Sequence, residues 1–256
     1  MHVNYLYLLH WSDSISAKKS AAKILDYGCG SGEVVLSGRN KGLNIFGADV
    51  FYAGANSKEE VERLNLLGKT IQEIKQGKIN FEDATFDLVL SNQVFEHVQD
   101  LESVLMEIHR VMKKDAFLLC LFPAKDVLRE GHIGIPLVHW LAKDSKIRYY
   151  YALSLRWLGF GYFKANKTKS QWTQDALDWL DKYTIYREKK EILAIFNRYF
   201  TLQMIEEDYI KYRLSFSPGL SWLYQILKIP LMPEVSGILM QKLAGMVFLA
   251  KKKETF

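Results

Sequence analysis

Two cysteines are all this sequence contains, Cys29 and Cys120, too few for a disulfide framework or a clustered thiol metal site. A reducing compartment, the cytoplasm, is the expectation. Proline is scarce too, five in 256 residues, and no run reaches the ~20 apolar residues that a bilayer span needs. Near the start, Tyr5-Leu6-Tyr7-Leu8-Leu9 is apolar, but His10-Trp11-Ser12-Asp13 cuts it short and no basic head precedes it, so it does not read as a secretory leader. Internal repeats and low-complexity tracts are absent. Strong net charge is missing as well, since 34 Lys and Arg against 29 Asp and Glu leave +5. With 49% hydrophobic residues, the length suits one α/β domain carrying insertions.

Acid is nearly absent between 143 and 169. Lys143, Lys146, Arg148, Arg156, Lys164, Lys167 and Lys169 there face Asp144 alone, among Tyr149, Tyr150, Tyr151, Trp157, Phe160, Tyr162 and Phe163. Basic charge interleaved with aromatics suits nucleic acid, an anionic or lipid-linked ligand, or an amphipathic lid with a solvated face.

The most informative stretch is Lys23-Ile24-Leu25-Asp26-Tyr27-Gly28-Cys29-Gly30-Ser31-Gly32-Glu33, a short apolar strand joined to a helix start through alternating glycines. Glycine tolerates φ > 0 and lets a ligand lie against backbone N–H groups. The dinucleotide fingerprint G-x-G-x-x-G requires glycine where Glu33 stands, which disfavours nicotinamide and flavin. A second strand, 43–48, leads to Asp49, at the distance where such folds place a ribose-binding carboxylate.

Further along, Ser57 and Glu60 form a capping signature for a helix of about ten residues. A weak strand near 69–74 precedes Asp87–Ser91, whose unbroken apolar run suits a strand covered on both faces. Asp100 caps a helix burying Leu101, Val104, Leu105, Ile108, Val111 and Met112, with His109 and Arg110 off that stripe. A fifth strand spans 116–122. Helices are expected at 147–162, 173–182 and 187–199, and strands at 201–206 and 245–251.

The pattern Asp26-x-Gly28-Cys29-Gly30-x-Gly32 resembles the first motif of class I S-adenosylmethionine-dependent methyltransferases. Three more segments resemble that family in order: Leu43–Asp49, then Thr85–Val98 (the fourth strand and cofactor loop), then Leu105–Lys114 leading into Phe117–Pro123. Ile74-Lys75-Gln76-Gly77-Lys78 lacks the acidic residue that relatives often place against adenine, so that contact is unassigned. Lys113-Lys114-Asp115-Ala116 replaces a Lys-Pro-Gly-Gly turn.

The resemblance implies a Rossmann-like, doubly wound α/β fold with a seven-stranded, mostly parallel sheet, an antiparallel last strand and a helical lid inserted after strand five. It divides the chain into an N-terminal extension (1–22), a cofactor core (23–123), a lid (124–186) and the rest of the core (187–256), with an apolar insertion at 211–243. It implies S-adenosyl-L-methionine as cofactor. The backbone of Gly28, Cys29, Gly30 and Gly32, flanked by Tyr27, would lie along methionine and ribose. Asp49 beside Val50 would take the ribose hydroxyls, Ser91, Asn92 and Gln93 would line the methionine end, and Asp26 would order the loop or bound water.

Methyl transfer from a sulfonium is an in-line displacement, so alignment and exclusion of water are the protein's main tasks. A hydroxyl acceptor must also lose a proton, for which histidine is suited. His2 and His10 lie in the unplaced amino terminus and His109 on an exposed helix face, which leaves His97, His132 and His139 as catalytic candidates. Each has a structural alternative: His97 as architecture of the cofactor loop, His132 and His139 as locks on the glycine-punctuated loop Glu130–Trp140. No metal is expected, because Glu130, His132 and His139 match no common zinc spacing.

The function expected is methyl transfer to a small-molecule, glycan-linked or lipid-linked acceptor; the 211–243 insertion reads either as an apolar wall that receives a lipid tail or rests on the inner face of the membrane, or as ordinary core or a dimer contact. The competing reading is a non-catalytic module in which the basic aromatic insertion binds RNA, a membrane surface or a partner protein.

Overall fold

The computed structural model describes residues 1–52, 57–164, 166–216, 219, 222, 225, 229 and 232–254. Within them, strands β1 (Ile24–Tyr27), β2 (Ile45–Asp49), β3 (Ile71–Glu73), β4 (Phe86–Asn92), β5 (Met112–Phe122), β6 (Phe200–Met204) and β7 (Met246–Lys252) form one sheet. Its order is β3-β2-β1-β4-β5-β7-β6. β1 to β5 pair in parallel, and β7 is antiparallel to both β5 and β6.

The apolar run of β4 is unbroken because both faces are covered. Val89 faces one core with Leu118, Cys120 and Phe122 of β5, while Leu88 and Leu90 face the other with Leu119 and Leu121. Successive strand residues point to opposite sides, so each layer takes alternate positions. Helices α4 (Leu101–Val111) and α7 (Lys189–Tyr199) cover the first face through Leu105, Ile108, Ile192 and Phe196. The second is covered by α1 (Val3–Lys18), α2 (Glu33–Asn40) and α8 (Glu206–Ser215), using Leu8, Leu9, Val34 and Tyr209.

The amino terminus is therefore part of the core. Tyr7, Leu8 and Leu9 of α1 are buried, the Tyr7 hydroxyl donates to Asp208 at 2.8 Å, and Asn4 donates to Asn92 at the end of β4 at 2.8 Å. Helix α3 (Ser57–Arg63) is shorter than expected, since Asn65 soon turns left-handed at φ 56°. Asp100 caps α4 by accepting from Ser103 N at 3.0 Å. His109, expected on an exposed face, is buried, and its Nε2 bonds the Lys253 carbonyl beyond β7 at 2.9 Å. A local polar partner lets a polar ring join the covered side. Strand β5 begins earlier than expected, at Met112, and Asp115 takes a positive φ within the segment that replaces the glycine turn.

Between β5 and α7, helices α5 (Lys146–Trp157) and α6 (Lys169–Tyr183) pack around Ile135, Val138, Ala152, Trp172, Leu177 and Leu180. Buried Arg148 joins them through two bonds to Asp181, at 2.8 and 2.7 Å. α5 stops at Trp157, short of the expected 162. Gly161 takes φ 96°, and a Cβ there would meet the Trp172 ring at 2.5 Å. In the expected 211–243 insertion, α8 runs on to Ser215 and α9 (Met232–Leu243) occupies the end. Trp222 is exposed; Leu223, Ile226, Leu227 and Leu231 lie outside the described residues. Among the described residues, no helix is long and apolar enough to cross a membrane.

Buried Glu107 of α4 ties the segment after β3 to the body of the fold. It accepts from Ile79 N at 2.7 Å, Arg110 Nη2 at 2.7 Å and Lys78 Nζ at 3.1 Å. Burial alone would raise its pKa, but Arg110, the Ile79 N–H and Lys78 outweigh that and hold it at about 2. A depressed folded pKa contributes stability that is full above the unfolded value near 4.3 and is lost as pH falls toward 2. Glu107→Gln is expected to lower stability by about 2 kcal/mol at pH 7, with the difference from wild type shrinking between pH 4 and 2, as read from urea midpoints.

Candidate active site

Two cavities open where β1, β4 and the post-β5 loop meet. The first, of about 580 Å³, is lined by Tyr27, Gly28, Gly30, Asp49, Val50 and Gln93, together with the segment after β3 and the start of α4. Its volume falls in the range of small-molecule sites. Gly28 leaves β1 with its N–H on the Ala48 carbonyl at 2.7 Å, and its φ is 76°. A Cβ there would sit 2.3 Å from Val94. Gly30 also has a positive φ, yet a Cβ there would meet nothing within 4 Å, so this part of the turn faces open space.

Asp49 braces the turn with both oxygens: Oδ2 accepts from Gly30 N and Oδ1 from Phe51 N, each at 2.8 Å. Each oxygen keeps lone-pair capacity toward the cleft, as a hydroxyl pair requires. Behind it, buried Asp26 has its pKa pushed up to about 7 by burial and by the Asp49 charge. The cleft thus offers an open glycine backbone, a fixed carboxylate and apolar walls at Ile74, Val98 and Val104. These features fit the methionine, ribose and adenine parts of S-adenosylmethionine.

Of the cofactor residues expected from sequence, Tyr27, Gly28, Gly30, Asp49, Val50 and Gln93 line this cleft. Asp26 and Cys29 are buried behind it, and Gly32 is the N-cap of α2, packed toward Ile71. Ser91 is buried within β4, and Asn92 is turned to Asn4. Sequence reasoning missed Tyr52, Ile74, Gly77, Val94 and the first turn of α4. Ile74 and Gly77 belong to the segment whose departure from the family pattern left the adenine contact unassigned.

The second cavity, of about 570 Å³, is walled by Tyr162, Phe163, Trp172 and Trp179 from the insertion, with His132 on its floor. Tyr52 and His97 line both cavities. His97 sits in a 3₁₀ turn directly after β4, so the sheet's carboxyl edge positions it. Its Nδ1 bonds the Tyr183 carbonyl at 2.6 Å. A carbonyl only accepts, so Nδ1 carries the hydrogen. By the same logic His132 Nδ1 donates to Glu130 Oε1 at 2.6 Å, which leaves the two Nε2 atoms facing each other at 3.2 Å.

Glu130 is fully buried. Oε1 also accepts from the Tyr186 hydroxyl at 2.7 Å and His132 N at 3.0 Å, and Oε2 accepts from Ile133 N at 2.6 Å. Burial would raise its pKa, yet His132 and the backbone donors hold it at about 2. Burial works to lower the pKa of His132, but Glu130 and then Glu96 raise it overall, whereas burial keeps that of His97 low. Glu96, which the sequence did not single out, is buried with neither carboxylate oxygen hydrogen-bonded among the described residues.

His139 is placed elsewhere. Its Nε2 bonds the Lys125 carbonyl at 3.0 Å, its ring packs on Tyr186 at 4.5 Å, and it lines a separate cavity with Arg148 and Leu180. The basic segment is largely paired: Arg148 with Asp181, Lys167 with Asp175 at 2.7 Å, and Lys169 over the Trp157 ring at 3.2 Å. Asp175 and Asp181 lie downstream of the segment, which is why its local charge count overstated the free charge.

Comparison with known proteins places the family and the fold. The ubiquinone biosynthesis O-methyltransferase of Rickettsia canadensis is 28% identical over 105 residues, covering 39% of this chain and 42% of that protein. Its counterpart from Acinetobacter baylyi is 27% identical over 111 residues, 41% of this chain and 45% of the relative. The chain thus matches less than half the length of these curated relatives. An S-adenosylmethionine-dependent methyltransferase structure from Mesorhizobium loti aligns over 95% of this chain and 98% of its own, with a TM-score of 0.53 and 14% identity, which shows a shared fold. The profile of the methyltransferase domain matches residues 4–161, more than half of the sequence, and the chain belongs to that family.

Proposed function

We propose that this chain is an S-adenosylmethionine-dependent methyltransferase that modifies a hydroxyl of a small-molecule, glycan-linked or lipid-linked acceptor held in the aromatic cavity. The observation that carries this reading is the junction: a cleft suited to the cofactor and an aromatic cavity share Tyr52 and His97 as walls. A methyl donor in one and an acceptor in the other would meet there. Bound cofactor supplies an electrophilic methyl carbon on a sulfonium.

The chain's residues do the rest. Asp49 and the glycine turn hold the donor, while Trp172, Trp179 and Tyr162 take the acceptor's flat or apolar part and exclude water. An acceptor oxygen held there would form the new bond to the methyl carbon as the carbon–sulfur bond broke and its electron pair passed to sulfur. The acceptor's proton leaves at the junction where His97 and His132 stand, and His139 keeps a structural role. An oxygen acceptor is supported by the name of the matched relatives, O-methyltransferases. Exposed Ile147, Tyr150, Trp157, Leu158 and Phe163 on the insertion support an acceptor presented at a membrane surface, with the protein on its cytoplasmic side. The paired state of the basic segment weighs against an RNA-binding module.

Calorimetry with S-adenosylmethionine and its demethylated product tests the donor site. Asp49→Asn is expected to weaken binding at least tenfold, and no binding by folded wild type would refute the reading. Transfer of labelled methyl to cell extracts tests the acceptor side: His132→Gln should reduce incorporation by about 100-fold or more while leaving cofactor affinity within about twofold. An equal loss of both would place His132 in the donor site instead.

A further inference from the structure

We propose that Glu96, His97 and His132 form a binding site for one divalent transition-metal ion, zinc being the best match, at the junction of the two cavities. One donor atom from each residue lies within 4.8 Å of the other two. Glu96 and His97 come from the turn after β4 and His132 from the loop after β5, so no local spacing announces the set. This is why a sequence reading that tested Glu130, His132 and His139 expected no metal.

The hydrogen bonds leave the space between the rings electron-rich. With Nδ1 of His97 committed to the Tyr183 carbonyl and Nδ1 of His132 to Glu130, two Nε2 lone pairs face each other at 3.2 Å. Lone pairs at that distance repel unless a proton or a cation lies between them. Two imidazoles on a tetrahedral zinc at its usual Zn–N length would stand about 3.3 Å apart, nearly the separation seen. Glu96 distinguishes the cation from the proton. A single shared proton would satisfy the imidazoles and leave a buried carboxyl without a partner among the described residues, whereas a cation takes all three donors.

The surroundings match those of a metal-binding histidine pair, in which the second ring nitrogen donates to a carbonyl or carboxylate. His97 has the Tyr183 carbonyl, and His132 has Glu130, itself fixed by Tyr186 and Ile133. Two imidazoles and a carboxylate are a common zinc ligand set that leaves a fourth position open. An ion here would keep that position open toward the aromatic cavity, which His97 and His132 both line. An ion there would hold an acceptor hydroxyl by its oxygen and lower its proton affinity, the Lewis-acid role of metal catalysis.

The test uses the full chain, stripped with chelator and then equilibrated with zinc sulfate, or with cobalt(II) sulfate for its visible absorption. One ion per chain is expected, with micromolar or tighter affinity and a cobalt spectrum of nitrogen and oxygen coordination. Glu96→Gln and His132→Ala should each weaken binding by at least tenfold, while His139→Gln should leave it unchanged. Each variant's fold is checked by its affinity for the demethylated cofactor, whose cleft neither Glu96 nor His132 lines. Absence of stoichiometric binding in wild type that binds the demethylated cofactor would overturn the metal site and leave the methyltransferase reading standing. So would binding that both variants retain. If a variant fails to fold, the wild-type cobalt spectrum decides alone: no d–d bands means no site.

Discussion

An ionised carboxylate with no exposed surface must be matched bond for bond, and Glu130 is. Its two oxygens accept from a ring, a hydroxyl and two backbone N–H groups. These contacts bind the loop after β5 to the segment after α6. They also fix the tautomer of His132 and its angle to His97, so the shape of the junction follows from this group. Without it, four donors would lose their acceptor at once.

The glycine-lined cleft and the aromatic cavity were unequally legible in the sequence. The glycine turn and Asp49 could be read because their chemistry is local: a strand end, residues that accept positive φ, and a carboxylate at a fixed chain distance. The Asp100 cap and the two-sided burial of β4 were readable for the same reason. Glu96, Trp179, Tyr183 and Tyr186 were not, because each gains meaning from residues brought close by tertiary packing. Ser91 and Asn92 belong to a family-like segment, yet the strand's alternation and a bond to Asn4 turn them away from the cleft. His109 sits on a face that the helical pattern marked as exposed, and a carbonyl beyond β7 gives it a buried partner. Tyr5–Leu9 could not be placed from sequence because much of what it packs on, Leu88, Leu90 and Tyr209 among it, is supplied by strands and helices far along the chain.

The family match ends at residue 161, while Trp172, Trp179, Tyr183 and Tyr186 lie beyond it. The shared part of the chain builds the glycine-lined cleft, and most of the wall of the aromatic cavity comes from outside it. Helix α6 links the two. It supplies Trp172 and Trp179 to the cavity, its terminal carbonyl orients His97, and the Tyr183 ring lies 5.4 Å from Tyr52. Substitutions on α6 that altered the aromatic cavity would also be felt at His97, which lines both cavities.

The docking of α1 sets the order in which the molecule can be completed. Its contacts with α8 span about two hundred positions of chain, as between Tyr7 and Asp208. During synthesis α1 can meet α2 and β4 early but α8 only late, and closing so long a loop has an entropic cost that later contacts must offset. Until then its Tyr-Leu-Leu face is open to other apolar chains, including nascent copies of itself. The helix that, with α2 and α8, covers one side of the finished sheet is on the way there an exposed apolar segment.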